Sequence, residues 1–147
     1  MALSLTQIEA DALLAMEKHC ADSGALAFPS LGGSLRIPLA STDRREEFML
    51  DITRGHIEVR KNTFQNRARK AVVLARLDLG GQLHRNPDGE EVPCPHLHIF
   101  REGQGDKWAI PAPADWNCEG GALAVLDQFM RFCNIATKPD IRGDMFA

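Results

Sequence analysis

From Leu35 onward the apolar residues recur at every second position, and a period of two commits the middle of the chain to a sheet. Leu35, Ile37 and Leu39 alternate with Arg36 and Pro38, which predicts a strand that Pro38, lacking an amide donor, places at an edge. Phe48, Leu50 and Ile52 predict a second strand. Arg54-Gly55 then fits a two-residue hairpin with Gly55 at positive φ, leading into a third strand over residues 56–66. In that strand Ile57 and Val59 sit at odd positions and Phe64 at an even one, so a bulge near Asn62 is expected. Residues 71–79 are apolar on both parities in their first half, which predicts a central strand ended by Gly80-Gly81. After a polar loop closed by Asn86-Pro87-Asp88-Gly89, residues 95–101 and 107–110 flank a glycine-rich turn and predict a second hairpin.

The two ends of the chain follow a different period. Leu5, Ile8, Ala12, Ala15, Met16 and His19 recur at helical spacing over residues 4–21, with Thr6 and Glu9 in the capping-box relation (Ser4 and Gln7 as the alternative) and Asp22-Ser23-Gly24 as the stop. Leu123, Val125, Leu126, Phe129, Met130, Phe132 and Cys133 predict a second helix with a broad apolar face, followed by Pro139 and a frayed tail from Lys138. The expected fold is α+β: a largely antiparallel sheet of about six strands with an N-terminal and a C-terminal helix packed on one face. With 147 residues, 44% of them hydrophobic, and no linker or repeat, residues 1–147 read as a single domain.

Met1-Ala2-Leu3-Ser4 carries neither the basic nor the apolar part of a secretory signal, and no apolar run approaches the roughly 18 residues that span a bilayer, so a cytoplasmic protein without membrane partners is expected. Cys20, Cys94, Cys118 and Cys133 contain no CxxC pair and are expected as thiols. The net charge is -3, yet residues 54–76 hold Arg54, Arg60, Lys61, Arg67, Arg69, Lys70 and Arg76 against one acid, Glu58. That asymmetry predicts a basic ridge able to steer RNA or an acidic protein surface, or more simply the solvated face of a sheet. Trp108 is a further candidate contact for a base.

The sharpest chemical signal is Cys94-Pro95-His96-Leu97-His98. On a strand His96 and His98 project to one side, about 6–7 Å apart. If Leu97 and Ile99 face the core, the imidazoles look outward and His84 can approach them. Three uses follow. His96 and His98, with Cys94 or His84, can offer zinc its nitrogen and sulfur ligands. Alternatively, His96 and His98 can cleave RNA without a metal or other cofactor, one as base for the 2′-hydroxyl and one as acid for the leaving oxygen, with Arg85 or Arg101 stabilising the phosphorane. Or they are ordinary sheet residues or contacts for a partner. The 84–91 loop has a calcium-loop composition without its register, and an Asn-Pro-Asp-Gly turn accounts for it. No Walker loop, GxGxxG or GxSxG is present.

The stretch 60–111, with Asn62-Thr63-Phe64-Gln65-Asn66-Arg67-Ala68-Arg69, Leu77-Asp78-Leu79-Gly80-Gly81, His84-Arg85-Asn86-Pro87-Asp88-Gly89 and Pro95-His96-Leu97-His98, resembles an uncharacterised family of small bacterial proteins. The Pro95-His96-Leu97-His98 strand with its following glycine turn also resembles a P-H-x-H strand of small proteins associated with toxin-antitoxin loci. That resemblance implies a toxin-like role on RNA. The expectations are therefore, first, a metal-independent ribonuclease or RNA binder with His96, His98 and His84 at its centre and Arg60, Lys61, Arg67, Arg69, Lys70 and Arg76 gripping phosphates. The alternative is a non-enzymatic regulator, an antitoxin or phage-encoded inhibitor, docking on an acidic protein. A zinc-binding domain is third. Edge strands and an apolar helix face make a homodimer possible.

Overall fold

The computed structural model describes residues 4–57 and 60–143. The first helix, α1 (Gln7–Ala15), starts at the expected capping box: the Thr6 side chain accepts from the Glu9 amide, and Glu9 Oε1 accepts from the Thr6 amide at 3.1 Å. It is shorter than its apolar spacing suggested and turned about its axis. Ala10 and Leu13 are buried while Ile8 is 83% exposed. His19, read as helical, belongs to β1 (Lys18–His19). The chain continues through β2 (Ala25–Ala27), β3 (Ser34–Ser41), β4 (Glu47–Arg54), β5 (Asn62–Ala68) and β6 (Val72–Leu79). It then makes β7 (His84–Arg85), β8 (Glu91–Val92), β9 (His96–Ile99), β10 (Ala109–Pro111), α2 (Ala122–Phe132), β11 (Ile135–Thr137) and β12 (Asp140–Arg142). No helix among the described residues is long and apolar enough to cross a membrane.

The fold is α+β, and its main sheet has eight strands rather than about six, in the order β10-β9-β6-β5-β4-β3-β1-β11. Most neighbours are antiparallel, but β1 and β11 are parallel, so the sheet is mixed. The second helix does not end the fold. Beyond it β11 joins β1, and the segment expected to fray carries β12, parallel to β2. The β7–β8 pair is a hairpin whose Asn86 amide reaches Glu90 O and whose Gly89 has φ +90°, so the expected turn chemistry closes two short strands where the sequence predicts a loop.

Register accounts for the other differences. The β4–β5 connection is a longer loop closed by Gly55 N–H to Lys61 O, not a two-residue turn; Ile57 is 94% exposed in it, and Glu58 and Val59 lie outside the described residues. The bulge lies not at Asn62 but opposite Asn66 and Arg67, where β6 inserts an extra residue: Asn66 faces Ala75 and Arg67 faces Val73. The insertion lets Leu74 and Ala75 both be fully buried and resets the parity of everything after them. β6 is central as expected. β3 has a neighbour on each side, but β1 pairs only with Ser41 and Ala40, so Pro38 still faces an unpaired edge.

The core lies on the face that carries Ile37, Leu39, Phe48, Leu50, Ile52, Phe64, Leu77 and Leu97, all 3% exposed or less. α1 packs beside β6 and α2 beside β5 and β11, and both helices contribute to this one cluster. The Phe129 ring sits 6.3 Å from that of Phe64. The opposite parity of the same strands places Asp51, Gln65, Arg67, Arg76, Asp78, His96 and His98 on the other face.

Candidate functional site

Strand parity builds the site. On β9, Leu97 and Ile99 pair with Leu77 and Ala75 of β6 on the core face, so His96 and His98 stand on the other side, opposite Asp78 and Arg76. The imidazoles do not look out into solvent, as the sequence suggested: His96 is 3% exposed and His98 0%. The reason is that the segments around β7 and β10 fold over them. His84 of β7 packs with its ring centroid 4.6 Å from that of His98 and 5.7 Å from that of His96, while the latter two are 5.1 Å apart.

The hydrogen bonds fix the protons. A backbone carbonyl can only accept, so His98 Nδ1 donates to Asp106 O at 2.7 Å and His84 Nε2 donates to Lys107 O at 2.7 Å. A neutral His98 therefore carries its lone pair on Nε2, where Arg76 Nη2 lies at 3.1 Å and donates. A neutral His84 carries its lone pair on Nδ1. His96 Nε2 donates to Asp78 Oδ2 at 3.1 Å, and its Nδ1, buried, has no hydrogen-bond partner. His96 is thus a base whose lone pair lacks a donor.

One cation and two carboxylates hold the rings. Arg76 Nη1 donates to Asp106 Oδ2 at 2.7 Å and Nη2 to Asp78 Oδ2 at 3.3 Å; Nε lies 3.3 Å from Asp78 Oδ1 without the alignment of a hydrogen bond. Burial works against the charge on Asp78, but a hydrogen bond from a protonated His98 and the charges of Arg76 and of protonated His98 and His96 outweigh it and hold the carboxyl well below the usual carboxylate range. Burial dominates at His96 and, aided by the neighbouring imidazoles, pushes its pKa down despite Asp78. His96 is neutral at neutral pH. The group opens on a cleft of about 490 Å³ on the polar face, walled by His84, His96, Asp78, Arg76, Lys61 and Gln65.

Other expected site residues go elsewhere. Arg85 is on the β7–β8 hairpin, paired with Glu91 at 3.4 Å. Arg101 stacks on Trp108, 3.9 Å from its centroid, so neither guanidinium stands at the histidines and the indole face is occupied. The Cys94 thiol donates to Asp78 O at 3.0 Å; among the described residues the group that could hold a metal is Asp78, His96 and His98, with ligand atoms within 4.8 Å of one another. Three residues of the basic ridge are paired internally: Arg67 with Asp51, Arg69 with Glu46 at 3.1 Å, and Arg76 with Asp78 and Asp106. Lys61 lines the cleft, Lys70 is exposed, and Arg60 lines a second pocket beside it. Sequence reasoning gave Asp78 and Asp106 no role at the histidines and placed Arg76 among the residues gripping phosphates. The available signal was the Arg76-x-Asp78 spacing, which places both on the strand face that β9 must share.

Residues 5–135 match the profile of a family described as of unknown function (DUF6978). No curated protein and no solved structure matches the chain.

Proposed function

The chain belongs to the DUF6978 family of unknown function, and from its own side chains we propose that it cleaves RNA by general acid–base catalysis at the histidine cleft. One observation carries this reading: three imidazoles converge within 4.6–5.7 Å around the Arg76–Asp78 ion pair, on the wall of a cleft that also presents Lys61. A buried group of this kind is expensive to assemble and suits chemistry better than docking. His96, neutral and with a bare Nδ1, takes the proton of the 2′-hydroxyl. His84, whose Nε2–H is held by Lys107 O, acts as the acid in its imidazolium form and gives its Nδ1 proton to the leaving 5′-oxygen. Lys61 and Arg76 offset the charge on the phosphorane, the part expected of Arg85 or Arg101. His98, fully buried, is a positioning residue that accepts from Arg76 and donates to Asp106 O. A toxin-like context for such an activity rests on the short strand resemblance alone. The docking alternative is weakened by the internal pairing of Arg67 and Arg69.

A second reading has its own support. His96 Nε2 and His98 Nε2 each lie 3.1 Å from Asp78 Oδ2, a spacing that a divalent cation could bridge. Against it, Arg76 Nη2 already places positive charge 3.1 Å from His98 Nε2. The test is cleavage of a labelled single-stranded RNA by highly purified protein, with and without chelator. The acid–base reading expects cleavage that is insensitive to chelator and lost in the His84→Ala/His96→Ala double variant. Equal cleavage by that variant removes the reading; loss on chelation with about one equivalent of bound metal transfers the site to the metal.

A further inference from the structure

A second pocket, of about 1030 Å³, lies next to the histidine cleft and shares Leu79 and Gly81 with it. The N-terminus of α2 is on its wall. The N-cap, Gly121, offers no side chain to the first turn, and that turn carries no acidic residue; the nearest carboxylate on this wall is that of Glu119, two residues before the cap. Gly80 lets the wall pass close to the chain at Arg60: with φ +66°, any Cβ there would come within 2.5 Å of Arg60 O. A helix terminus alone names no ligand, but Asn62 does. It lines the pocket, is 5% exposed, and directs its Nδ2 to Arg60 O at 3.4 Å, leaving its buried Oδ1 without a partner. Its parity with Phe64 puts the side chain on the α2 side of the sheet. The pocket thus offers a site for an anion and, separately, an acceptor that lacks a donor. Arg60 and Glu119 are the charged side chains among its described lining residues.

We infer that this pocket is a ribonucleotide subsite, in which the amides at the start of α2 hold a phosphate and Asn62 Oδ1 accepts from a sugar hydroxyl. The inference rests on the proposed action on RNA and extends it. The consecutive residues Arg60 and Lys61 line one pocket each, so a strand whose scissile phosphate lies at His96 places a neighbouring nucleotide past Gly81 in the second pocket.

The test measures binding of a ribonucleoside 3′-monophosphate and its 2′-deoxy counterpart by calorimetry, using His96→Ala so that turnover plays no part. Two variants probe the pocket in that background. Ala122→Pro removes an amide at N1, where proline fits a helix, and Gly121 at ψ 157° already has the extended backbone that a residue before proline needs. Asn62→Ala removes the acceptor. The ribonucleotide should bind about tenfold more tightly than the deoxy form. Ala122→Pro should weaken both forms about tenfold, and Asn62→Ala should abolish the difference between them. Absence of binding, or binding that Ala122→Pro leaves unchanged, overturns the subsite. RNA cleavage by the wild type is read separately: if it persists while the subsite fails, the histidine reading stands, and if cleavage is absent while the nucleotide binds, that reading alone is lost.

Discussion

Lys18 and His98 are the same kind of anomaly, polar side chains with 0% exposure at opposite ends of one sheet, and their surroundings make them different objects. Lys18 Nζ donates to Leu14 O at 2.8 Å, Met16 O at 3.0 Å and Cys133 O at 2.6 Å, and lies 4.8 Å from the Phe48 ring centroid. Its three protons have three acceptors, and those acceptors are carbonyls at the ends of α1 and α2. The ammonium ties both helix ends to β1 and leaves nothing unpaired. Around His98 the count does not close: His96 Nδ1 and Arg76 Nε are buried without hydrogen bonds. A satisfied buried polar group holds a fold together, whereas an unsatisfied one is tolerated where something else is to be bound.

The largest expected effect separates the two by readout. His96→Ala should lower RNA cleavage per folded molecule by about two to four orders of magnitude, while loss of the buried ring and of its hydrogen bond to Asp78 costs about 1–3 kcal/mol of stability. A large fall in melting temperature with intact cleavage would reverse the assignment of the two clusters. Phe129→Ala gives the apolar scale for comparison. The ring is fully buried against Phe64, and its loss should destabilise by roughly 3–5 kcal/mol in a denaturant titration. Lys18→Met keeps the volume but strands three carbonyls; the relief of burying a charge offsets part of this, leaving a loss of about 2–4 kcal/mol with unchanged turnover per folded molecule.

Proton linkage sharpens the Lys18 side further. Burial pulls its pKa down from 10.5 to about 8. Above about pH 8 the unfolded chain binds a proton that the folded chain has released, so stability rises with pH. From about pH 9 the neighbouring Cys133 thiol, which burial pushes up to about 12, acts in the opposite sense: the unfolded chain loses a proton that the folded chain keeps. The wild type should therefore gain stability between about pH 8 and 9 and level off above it. Lys18→Met should show no gain and only the fall above pH 9, which chemical denaturation across that range would register. His96, with its pKa lowered, contributes a separate loss as pH falls below the ordinary histidine value of 6.5.

What the sequence disclosed of all this follows from range. The runs 35–39, 48–52 and 71–79 are long enough to express a period of two, and His96 and His98 fall on one face by the same rule. β1, β2, β11 and β12 have two or three residues each and pair in parallel or across the whole chain, so no local pattern announces them. Asp78 meets His96 only through the β6–β9 register, which depends on the bulge at Leu74, and a one-residue shift would have sent Asp78 to the core. Lys18 was invisible because its acceptors are backbone atoms, and the one that closes the set, Cys133 O, is 115 residues away.

The smallest expected effect tests the same distinction from the exposed side. The apolar spacing of residues 4–21 put Ile8 in the core stripe, where an aspartate would be ruinous. In the fold Ile8 is 83% exposed at the second position of α1, and the stripe consists of Ala10 and Leu13. An acidic side chain in a first turn interacts favourably with the helix dipole. Ile8→Asp adds such a charge beside Glu9, which already caps the turn and lies 3.9 Å from Arg69, so the gain from the dipole is met by repulsion from a like neighbour. The two effects are each a few tenths of a kcal/mol, and stability should stay within about 0.5 kcal/mol of the wild type in a denaturant titration. A loss of several kcal/mol would return Ile8 to the core and move α1 about its axis, and with it the Gln7 side chain that accepts from the Glu102 amide at 2.9 Å and anchors the turn between β9 and β10.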